Sequence, residues 1–190
     1  MRKRTRILIS GEGGQGVQLI AKALCVSAFE SEFKTTYVPN YGVEQRGGVS
    51  LGFVQVSNQE IGFPKFQYAD ILVTLRERAV DRVLEYIGED TLIIYDSDLV
   101  SRDKLTAIPN KKIAIQAYQT AKDVLVVKAF NMMVLGMLAS MVKIEQETVI
   151  KTISAMLVEK YVLHPEMKHF NERAVGMGYA QAEEAMKVKA

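Results

Sequence analysis

A glycine run lies between two apolar segments near the amino terminus, and no other feature restricts the fold as tightly. Gly11-Glu12-Gly13-Gly14-Gln15-Gly16 follows the short apolar segment Arg6–Ser10 and precedes Val17–Phe33, which is rich in Ala, Leu, Ile and Val and holds neither Gly nor Pro. A short apolar run closed by glycine reads as a buried strand, and the long uninterrupted one as a helix. Gly11, Gly13 and Gly16 stand in G-x-G-x-x-G register. Glycine there permits a tight turn, lets a ligand approach the main chain, and leaves N–H groups pointing outward from the start of the helix. Such a turn suits phosphate or another anion, although the same shape also serves packing alone.

The rest of the chain extends the alternation. Thr35–Val38, Val49–Ser57, Asp70–Leu75, Thr91–Tyr95 and Lys112–Ile115 read as strands. Arg76–Ile87 reads as an amphipathic helix, with Ala79, Val80, Val83, Leu84 and Ile87 on one face and Arg78, Asp81, Arg82 and Glu85 on the other. From Lys122 onward only helical patterns appear: Lys122–Val142, Glu145–Lys160 and Glu166–Lys187, the last broken near Gly176 and Gly178. These elements predict a Rossmann-like, doubly wound α/β fold with a mainly parallel sheet, helices on both faces and a C-terminal helical cap. Neither a repeat nor a Pro/Gly/Ser linker divides it, so residues 1–190 are read as one domain.

Composition narrows the chemistry. One cysteine and two histidines cannot furnish a disulfide, an iron–sulfur cluster or a cysteine-built metal site. A net charge of +2 gives no electrostatic case for nucleic acid or a membrane surface. The basic start Met1–Arg6 is followed by too short an apolar run for a signal peptide, and Ala129–Val142 is too short to span a bilayer, which together suggest a cytoplasmic protein. A nicotinamide site wants an acid about 20 residues beyond the glycines, at the end of the second strand. That strand ends Tyr37-Val38-Pro39-Asn40, and the nearby acids Glu30 and Glu32 precede it. No Lys-Ser or Lys-Thr follows the run, so it is not a P-loop either.

A second glycine cluster, Tyr41-Gly42-Val43-Glu44-Gln45-Arg46-Gly47-Gly48, joins the second and third strands. Loops leaving the carboxyl ends of strands line the ligand crevice of such a sheet, which makes the two glycine segments neighbours. Arg46 offers a fixed cation for phosphate or carboxylate, and Gly47 and Gly48 allow close approach. A surface loop with a Glu44–Arg46 salt bridge is the plainer alternative.

Taken together, GEGGQGV, YGVEQRGGVS and IGFPKFQYADILVTL resemble the gamma subunit of 2-oxoacid:ferredoxin oxidoreductases. Asp96-Ser97-Asp98, Ala129-Phe130-Asn131-Met132 with Leu135-Gly136, and Asn171-Glu172-Arg173-Ala174 with Gly178 fit the same pattern, which runs from about residue 6 to about residue 180. One departure is that the turn before the second strand often carries glycine in this family and here reads Glu32-Phe33-Lys34. The resemblance implies a subunit that is inactive alone, in a complex whose thiamine diphosphate, magnesium (Mg) and iron–sulfur clusters sit on other subunits: thiamine diphosphate-binding alpha and beta chains and a ferredoxin-like delta chain. It implies assembly and coenzyme A (CoA) handling for this chain. The nearest likeness is to the 2-oxoglutarate:acceptor enzyme, with pyruvate, branched-chain 2-oxoacid and indolepyruvate enzymes as alternatives. A stand-alone nucleotide-binding module or an NAD-dependent oxidoreductase is the alternative of another class.

The binding residues expected are therefore Gly11, Gly13, Gly14, Gln15 and Gly16, then Tyr41, Glu44, Arg46, Gly47 and Gly48, and Asn131, a polar residue inside the most apolar helix. No catalytic proton-transfer set and no metal ligand is expected. His164 and His169 lack the H-E-x-x-H spacing, and Cys25 reads as inert core. Asp96 and Asp98 end a strand, where acids more often cap the next turn than meet a ligand.

Overall fold

The computed structural model describes residues 4–41 and 48–187. Six strands, β1 (Arg4–Glu12), β2 (Lys34–Tyr41), β3 (Val49–Ser57), β4 (Ala69–Thr74), β5 (Ile87–Asp96) and β6 (Lys112–Ile115), form one sheet in the order β2-β3-β1-β4-β5-β6. β1, β4, β5 and β6 pair in parallel, while β3 runs antiparallel to both β1 and β2. The reversal of β3 follows from the connection before it, which is far too short for the crossover that a parallel neighbour demands.

Alternation along β1 divides the core in two. Ile7 and Ile9 join the larger cluster, with Val54, Val73 and Ile94 from neighbouring strands. Leu8 faces the other way, among Phe53, Leu72 and Ile93. The larger cluster is covered by α1 (Val17–Glu30), α3 (Ala117–Val124) and α4 (Phe130–Met141), and beyond these lie α5 (Gln146–Met156) and α7 (Glu166–Lys187). The smaller cluster is covered by α2 (Glu77–Val83), by the turn Leu84–Tyr86, and by Phe66, whose ring meets Phe53 edge-on at 5.4 Å. The cap is thus a second helical layer over one face: α4, buried along most of its length, lies between α1 and α7.

Several helical boundaries depart from the sequence expectation, each for a local reason. α1 stops at Glu30 because Glu32 takes a left-handed φ of 64°. The N–H of Glu32 donates to Phe29 O and that of Phe33 to Ala28 O, a Schellman closure with a non-glycine residue where glycine is usual. The helix expected over Arg76–Ile87 ends at Val83, and Ile87 already begins β5. The helix expected over Lys122–Val142 is two, parted across 125–129, where Leu125 and the β-branched Val126 leave the helical conformation and a 3-10 turn, Val127–Ala129, follows. Glu145–Lys160 likewise divides at Leu157, giving α5 and a short α6 (Val158–Leu163).

The break expected near Gly176 and Gly178 is absent, and α7 is continuous. Its glycine answers to packing instead. A Cβ on Gly178 would overlap the Met133 carbonyl, and one on Gly136 would overlap that of Val175, so α4 and α7 cross backbone against backbone.

Candidate functional site

The carboxyl ends of β1 and β4, together with the adjoining ends of the β2–β3 hairpin, open onto a crevice of about 1550 Å³. This is the position at which strand order reverses about β1, where open α/β sheets bind their ligands. The glycine turn forms its floor. Gly14 and Gly16 hold φ of 98° and 80°, in the left-handed region that L side chains avoid. A Cβ at Gly14 would meet nothing within 4 Å, so that residue is required by torsion and faces open space. α1 begins after Gly16 with no side-chain cap, which leaves its first N–H groups directed at the crevice.

Gln15 locks the turn. Its Oε1 accepts from the Glu12 N–H at 2.6 Å, and its Nε2 donates to Leu75 O at 2.8 Å. The side chain is therefore engaged within the protein, and Gln15 reaches the crevice as scaffold. Gly11 belongs to β1, where a Cβ would press on Gln15 Oε1 at 2.7 Å. The Gly13 N–H donates to Gly48 O at 3.0 Å and joins the turn to the hairpin. That bond makes the two glycine segments neighbours, as the topology required. Tyr41, largely exposed, closes the same wall. Glu44, Arg46 and Gly47 lie outside the described residues.

Asn131 enters from the opposite side, at the start of α4. Its amide lies so close to Gly16 that any Cβ there would overlap Nδ2. Among the described residues its side chain makes no hydrogen bond, so an unengaged amide stands beside the uncapped start of α1. Asp96 behaves otherwise. It is fully buried; its Oδ1 accepts the Asp98 N–H at 3.0 Å and its Oδ2 the Tyr118 N–H at 2.8 Å. Burial raises its carboxyl above the usual range despite those donors. It caps the β5 turn and the start of α3, the commoner role for an acid in that place.

Other crevice residues were not singled out in the sequence. Arg76, two residues beyond β4, lies 2.9 Å from Glu12, and Arg78 pairs with the other oxygen of that carboxylate at 3.2 Å. Position alone could have found Arg76, since it leaves the carboxyl end of the strand beside β1. Lys128 and Lys160 also line the crevice and form no ion pair among the described residues. Lys128 lies in a helix break and Lys160 in the short α6 that follows another, neither of which periodicity resolved. The lining carries the cations Arg76, Lys128 and Lys160 and the carboxylates Glu12, already shared between two arginines, and Glu166, with the apolar Phe130, Met132 and Leu157 buried beside them. Uncapped helix N–H groups and nearby cations are chemically suited to an anion. Among the described residues no group of three or more His, Cys, Asp or Glu side chains could hold a metal ion.

Known proteins share this sequence and fold. Residues 6–181 match the family model of pyruvate ferredoxin/flavodoxin oxidoreductase. Over 189 residues the chain is 31% identical to the 2-oxoglutarate synthase subunit KorC of Methanocaldococcus jannaschii, with 97% of each chain covered. The gamma subunit of keto/oxoacid ferredoxin oxidoreductase from Geobacter sulfurreducens superposes with a TM-score of 0.76 at 26% identity, over 95% of this chain and 99% of that one. A longer chain, 2-oxoglutarate:ferredoxin oxidoreductase from Magnetococcus marinus with 2-oxoglutarate, coenzyme A and succinyl-CoA bound, shares the fold (TM-score 0.84, 21% identity) over 97% of this chain and 32% of that one.

Proposed function

The chain belongs to the pyruvate ferredoxin/flavodoxin oxidoreductase family, and from that premise we propose that it is the gamma subunit of a 2-oxoglutarate:acceptor oxidoreductase, with residues 1–190 acting as one domain. The complex converts 2-oxoglutarate, coenzyme A and an oxidised acceptor to succinyl-CoA, carbon dioxide and reduced acceptor. Partner subunits carry the thiamine diphosphate, its Mg ion and the iron–sulfur clusters: alpha and beta chains for the first two, a ferredoxin-like delta chain for the clusters. This chain contributes assembly and the crevice that holds a phosphate of coenzyme A. The choice of 2-oxoglutarate over pyruvate or a branched-chain 2-oxoacid rests on the full-length likeness to a 2-oxoglutarate synthase subunit.

The observation that carries the reading is the locked glycine turn beneath an uncapped helix start, with Arg76, Lys128 and Lys160 in the same crevice. Binding an anionic substrate needs that arrangement; decarboxylation and electron transfer do not. Two experiments test it. Affinity purification from the native cell should bring down a thiamine diphosphate-binding chain and a ferredoxin-like chain, and recovery of neither defeats the assembly reading. A photoreactive coenzyme A analogue should label this chain within the assembled complex, and label confined to other subunits defeats the crevice assignment. Calorimetry with NADH separates the nicotinamide alternative: β2 ends at Asn40-Tyr41 without a ribose-binding acid, and no tight binding is expected.

A further inference from the structure

Gln18 is the second residue of α1, and its amide is fully engaged. Nε2 donates to Ser50 Oγ at 2.7 Å and to Leu51 O at 3.0 Å, and Oε1 accepts the Tyr37 hydroxyl at 2.7 Å. Tyr37 lies on β2; Ser50 and Leu51 lie on β3. Ser50 is opposite Tyr41 on one side and Gly11 on the other. One side chain therefore ties the start of the helix to both strands of the hairpin that walls the crevice. Close contact supports the tie, since Gly52 leaves only 2.6 Å between an imagined Cβ and Ala21, and α1 lies directly on β3. The Tyr37 phenol, pushed up to about 12 by burial, stays protonated and keeps donating.

We propose that Gln18 is a positioning residue for coenzyme A: it fixes the spacing between the start of α1 and the β2–β3 wall, and so sets the affinity of the crevice without touching the ligand. The inference rests on the crevice assignment above. Both hydrogens of its amide nitrogen and its oxygen have partners, so a ligand would have to displace a bond to use them. The donors that meet an anion belong to the turn and the helix start, and their separation from the wall is what the amide holds. Because the reacting atoms lie on partner subunits, loosening this spacing weakens binding while the chemical step keeps its rate.

The test is steady-state kinetics of the reconstituted complex with coenzyme A as the varied substrate. Gln18→Leu should raise the KM for coenzyme A about tenfold, with kcat within about twofold and the KM for the 2-oxoacid unchanged. Gln18→Glu should raise the KM at least as much, because a carboxylate cannot donate to Leu51 O and adds a negative charge to the crevice lining; high salt should relieve only the charge part. Tyr37→Phe should raise the KM about threefold, and it carries the test if Gln18→Leu does not assemble. The control is Asn110→Ala, at the far end of the sheet, where the amide donates to the carbonyls of Gly88, Glu89 and Thr91. That variant should lower the melting temperature and leave the KM alone. Three results overturn the proposal: an unchanged KM in the Gln18 and Tyr37 variants, a rise no larger than in Asn110→Ala, or a common fall of kcat with both KM values raised. Photolabelling of the wild-type complex by the coenzyme A analogue checks the crevice assignment separately, so the two ideas fail by different observations.

Discussion

At the amino end of the sheet Asp70 accepts three hydrogen bonds from Arg6, at 2.7, 2.9 and 2.9 Å, and Asn110 divides its amide among three carbonyls. Thr91 there accepts the Gly88 N–H and donates to Ala69 O. Among the described residues at the carboxyl end, two arginines share the single carboxylate of Glu12, two lysines lack ion pairs and the Asn131 amide has no hydrogen bond. Asn110 is thus saturated at one end, whereas Asn131 is open at the other. Saturation stabilises; openness leaves capacity for a ligand at some cost in stability. That contrast is what the proposed binding role of the carboxyl end rests on.

The contrast breaks most easily at its closed end. Asp70→Ala removes a buried carboxylate and strands Arg6, which should cost about 2 kcal/mol, moderated by the water that Arg6 retains. Urea unfolding measures the loss, and the KM for coenzyme A should not move; if it does, the two ends are not independent. Gly16→Ala should cost about 1–2 kcal/mol through its left-handed torsion and its overlap with Asn131. Unlike Asp70→Ala it should also weaken coenzyme A binding, read by calorimetry on the assembled complex. Lys128→Glu and Lys160→Glu should each lower that affinity about fivefold at low salt, with the effect fading as ionic strength rises. Their unfolding midpoints should match the wild type, because neither lysine stabilises a partner.

Glu32→Gly, at the amino end where α1 closes, should raise stability by about 0.5–1 kcal/mol and leave binding untouched. Asp96 gives the smallest effect and the sharpest exception, a saturated acid at the open end. Its carboxyl carbon should titrate by NMR above the ordinary 3.8, because burial outweighs the N–H donors around it. The folded protein then holds that proton more tightly than the unfolded chain does. The group's favourable contribution is accordingly present below pH 3.8 and lost as pH rises through the raised native value. A midpoint at or below 3.8 would mean that the caps dominate.

Much of this was legible from periodicity. The bounds Val49–Ser57 and Lys112–Ile115 coincide with β3 and β6, and the glycine turn lies between a strand and a helix as its composition implies. The direction of β3 depended on the length of the connection before it, a geometric fact that hydrophobic alternation does not record. The helix breaks near residues 125–129 and at Leu157 were hidden because apolar residues continue through them. Lys128 and Lys160 were missed for that reason, since a lysine in a helical pattern reads as solvated surface. Gln15 and Gln18 show a further limit. Both are polar residues beside a glycine turn, and only coordinates reveal that their amides are engaged in holding main chain and strands. Gly178 shows the converse, where glycine read as a helix break permits two helices to touch.

The central place of β1 bears on how the chain folds. β1 carries the glycine turn yet borrows its neighbours from later in the sequence: β3 on one side and β4 on the other. Sixty-four residues separate Arg6 from the Asp70 that anchors it. Closing so long a loop is entropically costly until the partner strands exist, whereas β2 and β3 meet through a short connection. Contact order therefore predicts that the β2–β3 hairpin forms ahead of the β1–β4 pairing, an order that pulse-labelling hydrogen exchange would read. A nascent chain shorter than about seventy-five residues can offer β1 only its β3 edge, and the glycine turn gains its second flank once β4 has emerged.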